Sequence, residues 1–555
     1  MKCKKTLSSV SVSSISFLCL FFALAALISY PAPSAMGQPM MSGQNGYEAT
    51  DILTIGESIN GYTPVGILDG LGAYELDEDT VRVLANHELL SFRGTPYDVD
   101  DGLGGTFSMV GARVSFFDID KDTRQIVEGG LAYDTIYDAN GNIAQDISFL
   151  ANNFEGFSRF CSSGLSEARQ FGDEKGLEDR IYFTGEEDGG GFNPVGGAEW
   201  ALNPDNKTIW HIAAMGRGAW ENIAEVCTGS KNTVAFILAD DTSPFDADQD
   251  EEDEAAPLYL YIGEKDSEGD FLAQNGLRDG KLYVWAANNP NVNDPRDFNS
   301  KGSRKGEWVE IDNSPSGTPS EDGSTGFDEY GYPTQRTLWT RAEQVGAFQF
   351  SRPEDVSTNP NKCREIVLAS TGRSSDFDGA DRVGTIYTIK TNFKNLKAKV
   401  KIIYDGDADP TQALRSPDNV DWAEDGYIYI QEDKAVDDIF EPGAVNTTEA
   451  GIVKLNPKNG KTERIAIIDR TVVLDASLAD PTLAADNDAG VNGEWESSGI
   501  LDVSDFFDKD SGSLFLFDVQ AHGIDDQTDI NPASRINDDD LAEGGQLLFL
   551  ELLDD

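Results

Sequence analysis

The residues in this chain with most capacity for chemistry are carboxylates set in short polar clusters. These are Asn86-His-Glu88, Gly185-Glu-Glu-Asp188, Trp220-Glu-Asn222, Ala239-Asp-Asp241, Ser351-Arg-Pro-Glu-Asp355, Ser416-Pro-Asp-Asn-Val-Asp421 and Gln431-Glu-Asp433. Ser158-Arg-Phe-Cys161 adds a thiol to the set. Hard oxygen ligands in such numbers suit calcium, which takes roughly six to eight of them. A thiolate is too soft for calcium and points to a transition metal beside it. Each cluster alone also reads as solvated turn carboxylates. The acidic run Asp246–Glu254 illustrates this, since it lacks the glycine and spaced glutamate of an EF-hand loop and reads as a solvated loop.

Other chemistries are excluded by what is missing. His87, His211 and His522 are the only histidines, too few for a zinc hydrolase or a histidine-rich dinuclear phosphoesterase. No Gly-x-Ser-x-Gly elbow occurs, and Asn459-Gly-Lys-Thr462 lacks the first glycine of a phosphate-binding loop. No cysteine is followed by an arginine at the spacing of a cysteine-dependent phosphatase. Carboxylate chemistry with metal ions remains. His211, in Trp210-His-Ile-Ala, reads as a strand residue, and His87 and His522 as core or supporting residues.

The start, Met1-Lys-Cys-Lys-Lys, precedes an apolar stretch from Ser13 to Tyr30 and a small-x-small pattern ending at Ala35. That predicts a signal peptide over 1–35, then a flexible segment over 36–49, and a product secreted, periplasmic or held at the cell surface. An uncleaved anchor is the alternative; no second spanning run follows, so no stable membrane insertion is expected after cleavage. Cleavage removes three lysines and no acid, which takes the net charge from −55 to −58. Such a surface repels nucleic acid and anionic membranes, and an anionic substrate needs local cations to approach it. Cys3 and Cys19 leave with the leader, so Cys161, Cys227 and Cys363 remain. One disulfide and one free thiol is the simplest partition, with metal ligation a reason for the thiol to persist.

The elements that must position these clusters are strands. Short β-branched and aromatic runs opened by Gly or Asp turns recur at 179–184, 256–262, 279–285, 384–389, 425–430 and 511–517. Helical periodicity is sparse, with Leu165–Phe171 and Ala413–Arg415 the best stretches. Residues 242–255 and 288–330 read as loops or insertions. The pattern predicts an all-β fold, a β-propeller with loop and small helical insertions, as one domain over 50–555.

The clusters resemble, in content and order, the PhoX-type alkaline phosphatases. Asn86-His-Glu88 is similar to that family's Asn-His-Glu. Phe160-Cys-Ser-Ser-Gly164 with Thr184-Gly-Glu-Glu187 resembles its Cys-x-x-Gly and Cys-Glu-Glu, and Gly216-Arg-Gly-Ala-Trp-Glu-Asn222 its Gly-Arg-Phe…Glu-Asn. Leu238-Ala-Asp-Asp241, Phe350-Ser-Arg-Pro-Glu-Asp355, Ser416-Pro-Asp-Asn419, Ile430-Gln-Glu-Asp433 and Val519-Gln-Ala-His522 follow in order, so the resemblance spans roughly residues 50–525. It implies a six-bladed propeller holding iron and calcium. Carried over, Cys161, Glu221 and Glu354 hold iron and Arg352 contacts the substrate phosphate. Glu88, Glu186, Glu187, Asp240, Asp418 and Asn419 become candidates for calcium or shared ligation, with Asp421 and Glu432 as outlying ones. Cys161 and Glu354 join Arg352 as the catalytic set. The expected activity is hydrolysis of small organic phosphomonoesters by a monomer. The alternatives are a phytase-like or phosphodiester-cleaving propeller, and a non-catalytic calcium-stabilised binding propeller. Two departures stand out: the leader carries Lys4-Lys5 and no arginine pair, and Gly185 stands where the family often has cysteine.

Overall fold

The computed structural model describes residues 38–150, 154–189, 193–242, 256–374, 376–473, 486, 490–524 and 541–553. The leader over 1–35 and most of the acidic insertion lie outside them. All six predicted runs contain strands, shifted toward the carboxyl end because the opening residues make the turn. Asp425-Gly426 is such a case: Gly426 sits at φ 84°, the Asp425 carboxylate accepts the Tyr427 N–H, and the strand begins at Ile428.

These strands assemble as six antiparallel four-stranded blades. Their inner strands are Leu68–Glu75, Phe160–Ser166, Trp220–Glu225, Pro353–Thr358, Pro417–Trp422 and Glu496–Asp502. Each inner strand packs on the next, and the sixth packs on the first, which closes the ring. The sixth blade takes its outer strand from the other end of the chain, since Tyr47–Thr54 pairs with Gly544–Leu552. This closure leaves no open edge at the seam. The cores lie between blades: Phe183, Phe236 and Tyr261 fill the gap between the second and third, and Trp285, Phe348, Phe350 and Tyr387 that between the third and fourth.

Four expectations are corrected. Residues 38–49 are not a flexible lead-in, because Met41–Gly43 pairs with the fifth blade, Met40 and Met41 are fully buried, and the strand that closes the ring begins at Tyr47. Residues 288–330 hold the ten-residue strand Gly302–Ile311, which pairs with Lys281–Ala287 and Lys397–Asp405 and so joins the third and fourth blades into one sheet. Leu165–Phe171 is strand to Ser166 and then turn, and Ala413–Arg415 is loop. A helix forms instead at Gln335–Gln344, capped by the Thr334 hydroxyl, which accepts the Thr337 N–H. Cys227 and Cys363 form a disulfide that ties the third blade to the fourth, and Cys161 is free.

Candidate metal centre

Five of the six inner strands begin in the same register. Their first residues, Leu68, Phe160, Trp220, Pro353 and Pro417, pair with His87, Glu186, Asp240, Ser370 and Glu432. Pairing then resumes at Leu71, Ser163, Ile223, Val356 and Val420, so two inner-strand residues oppose one on the neighbour. A bulge of this kind bends the strand and re-aims its side chains. The second residues of these strands are Asp69, Cys161, Glu221, Glu354 and Asp418, and they meet at the ring axis. Ligand atoms of Asp69, Glu88 and Cys161 lie within 4.8 Å of one another, as do those of Cys161, Glu187 and Glu221, and those of Glu221, Glu354 and Asp418. Cys161 and Glu221 are shared, which links the three groups into one cluster.

Strand alternation sorts the neighbouring acids. The residue after each paired position, Glu88, Glu187, Asp241 or Asp433, lies on the axial side, whereas the paired residue itself turns into its blade. Glu186 accepts the Ser158 and Ala198 N–H groups at 3.1 Å each and faces Trp200 Nε1 at 3.4 Å. Asp240 accepts from Ala219 N, Thr242 Oγ1, Gln335 Nε2 and Trp339 Nε1. Glu432 accepts Arg415 N at 2.9 Å and the guanidinium of Arg464, with that of Arg415 near it. All three tie down the segment leading into the inner strand. Glu186, Asp240 and Glu432, expected as metal ligands, do not join the cluster. Asp421 faces the far end of the axis, accepting Asp502 N, and Asn419 accepts Gly499 N between the fifth and sixth blades. Asp421 does not join the cluster.

Two arginines stand at its rim. Arg159 and Arg352 each immediately precede an inner strand with left-handed backbone, φ 49° and 54°. Arg352 forks onto Asp241 at 2.8 and 2.6 Å and reaches Glu354 at 3.0 Å. Arg159 bridges Glu88, at 3.0 Å, and Glu187. His522 hydrogen-bonds Glu543 at 2.6 Å and faces Glu496 at 3.7 Å, which sets it beside the cluster as a supporting group. His87 is buried between Ser115 and the Gly66 carbonyl, and burial, together with Arg113, pushes its pKa down to about 3.

Without cations this arrangement is electrostatically unfavourable. Burial, and then the charges of Glu354, Glu187, Asp69 and Asp241, hold Glu221 well above the ordinary carboxylate range. Asp69 is raised by burial and then by Glu496, Glu88 and Asp518, and Asp418 by burial and then by Glu496 and Glu221. Burial and the carboxylates of Asp69 and Glu221 push the Cys161 thiol up as well. Asp69 Oδ1 and Glu221 Oε2 are buried with no hydrogen-bond partner. Buried acceptors left unpaired cost about 1–3 kcal/mol each. A multivalent cation satisfies such oxygens and reverses the pKa shifts, so this donor set fits bound metal.

Of the expected ligands, the cluster contains Cys161, Glu221, Glu354, Glu88, Glu187 and Asp418, with Arg352 at its edge. Sequence reading missed Asp69, although Ile67-Leu-Asp69 repeats the spacing of Arg159-Phe-Cys161 and Arg352-Pro-Glu354 and shares their left-handed first residue. The missing cysteine has a steric explanation: a Cβ on Gly185 would stand 2.4 Å from Trp220 Cβ and 2.5 Å from its carbonyl oxygen.

The sequence matches the family model of alkaline phosphatase PhoX over residues 201–473, about half of the chain. No curated protein matches it by sequence. Among solved structures, Pseudomonas fluorescens PhoX in complex with vanadate, a transition state analogue, is similar with TM-score 0.58 and 14% identity, over 94% of this chain and 97% of that one. Pseudomonas aeruginosa periplasmic gluconolactonase PpgL aligns at TM-score 0.26 and 10% identity, over 73% and 86%, too low to bear on the fold. By family match and fold, the chain belongs to the PhoX alkaline phosphatases.

Proposed function

We propose that the chain is an exported phosphomonoesterase that works with calcium and iron held at the propeller axis. The observation that carries this reading is the axial cluster, a thiol and six carboxylates bordered by guanidinium groups. Phosphate could not approach so many negative charges unaided, and multivalent cations reverse the local field. Cys161, Glu221 and Glu354 would hold iron, the thiol supplying the soft ligand. Glu88, Glu187, Asp418 and Asp69 would hold calcium or share ligation. Bound there, the cations supply Lewis-acid chemistry, neutralising phosphate charge and making water a better nucleophile.

The chain's own groups do the rest. Arg352 has its backbone fixed by the Thr371 N–H, which donates to its carbonyl, and its head held by Asp241 and Glu354. A guanidinium positioned in this way binds and orients phosphate oxygens at little entropic cost. The test is hydrolysis of p-nitrophenyl phosphate by the purified protein, with elemental analysis, for the native chain and Cys161→Ala. Activity with calcium and iron present, and loss of both iron and activity in the variant, is the expected result. A native protein replete with both metals yet inactive overturns the phosphomonoesterase reading.

A further inference from the structure

Arg159 occupies the same structural position as Arg352, two blades earlier. Each is the residue before an inner strand, each is left-handed, and each precedes by two residues a member of the cluster, Cys161 and Glu354 respectively. Each side chain reaches back to the preceding blade and contacts the same kind of residue there: Glu88 follows the paired position of the first blade, and Asp241 that of the third. Each also grips an acid of its own blade, Glu187 or Glu354. The equivalent positions elsewhere hold Ile67, Ala219 and Ser416, so among these five blades only two place a guanidinium at the rim. Left-handed backbone at bulky residues is strained, and such strain gathers at functional sites.

The two carboxylates do not enclose the Arg159 side chain. Its side chain keeps 25% of its surface exposed, against 19% for Arg352, although both are flanked by acids with little exposure. The acids held by the two arginines also meet at one residue, because Glu187 and Glu354 each place a ligand atom within 4.8 Å of Glu221. The two guanidinium groups thus border one cluster, one from the second blade and one from the fourth.

We propose that Arg159 is a second substrate-contacting residue of this site, which together with Arg352 brackets the terminal oxygens of a phosphomonoester dianion. The inference rests on the phosphatase reading above. Two charged donors match a group with three terminal oxygens, and a diester, with two, gains less from the second. Removing one charge-assisted hydrogen bond of this kind weakens binding roughly ten- to a hundredfold.

The test compares native protein, Arg159→Met and Arg159→Lys in three measurements: metal content, calorimetric binding of inorganic phosphate to the metal-loaded protein, and KM against kcat for p-nitrophenyl phosphate and its bis-ester. In Arg159→Met the dissociation constant for phosphate and the KM for the monoester should both rise by about that factor at native metal content. The bis-ester should suffer less, and Arg159→Lys should recover part of the loss. Native phosphate affinity in Arg159→Met overturns the proposal. Loss of metal in step with affinity in both variants also overturns it, since Arg159 would then only hold Glu88 and Glu187. Calorimetry needs no turnover, so a phosphate-binding but inactive protein would refute the phosphatase reading while leaving Arg159 as an anion contact.

Discussion

Glu221→Gln should have opposite effects on the metal-free and metal-loaded protein. Glu221 is fully buried, one oxygen accepts Ser162 N at 3.3 Å, and the other has no hydrogen-bond partner. Burial and four neighbouring carboxylates hold its folded pKa above the unfolded one. For an acid shifted this way, the stability contribution is full below the unfolded pKa and is lost as pH rises toward the folded pKa. While the folded chain keeps its proton and the unfolded chain has released its own, the loss is about 1.4 kcal/mol per pH unit. Glutamine binds no proton in either state and removes that slope. Thermal or urea unfolding of chelator-treated protein at pH 5, 6 and 7 should therefore show a shallower decline for Glu221→Gln, which should be the more stable protein at pH 7. Saturating calcium and iron should reverse the order, since Glu221 belongs to two of the three ligand groups. An unchanged pH slope, or a variant less stable than native in chelator at pH 7, would refute the account of Glu221 as an unpaired buried carboxylate.

Two further outcomes follow from the strand register and the blade packing. Glu187→Gln should lower metal content and activity, whereas Glu186→Gln should leave metal content unchanged and lower stability by about 1–3 kcal/mol, because it weakens acceptance of two buried backbone N–H groups; elemental analysis with urea unfolding separates the two. Gly185→Cys, which restores the residue common in the family, should destabilise the chain by about 1–3 kcal/mol through overpacking against Trp220 and should bind no additional iron.

Much of the fold was legible in the sequence because turns and strand composition are local signals. Asp425-Gly426 marks a hairpin by backbone chemistry alone. The strand Gly302–Ile311 was not, because Gly302-Ser-Arg-Lys-Gly-Glu is polar; its pairing with both the third and the fourth blade makes it a strand. Leu165–Phe171 misled for the converse reason, since a short apolar run satisfies either periodicity and blade packing decides. The helix at Gln335–Gln344 was missed although Thr334 is a readable cap, because only Leu338, Trp339 and Ala342 supply its apolar face.

The carboxylate clusters were legible in the sequence, and which acid of each adjacent pair turns to the axis was not. In Gly185-Glu-Glu187, Ala239-Asp-Asp241 and Gln431-Glu-Asp433, two adjacent acids sit at the end of a second strand, and composition cannot say which one faces the axis. The deciding fact is the pairing of the first inner-strand residue, which fixes Glu186, Asp240 and Glu432 on the blade side. Once inside the blade, each of these three must be satisfied by the protein. Glu186 and Asp240 find backbone N–H and indole donors, and Glu432, fully buried, finds two guanidinium groups that hold its pKa below the ordinary range against burial. Burial still raises Glu186 to about 7 and Asp240 to about 6 against those donors, whereas the axial acids Asp69, Glu221 and Asp418 are raised well above the ordinary range by burial together with the charges of neighbouring carboxylates. Of two adjacent acids one thus anchors a strand from inside its blade while the other turns toward the axis, and a single step along the backbone separates the two roles.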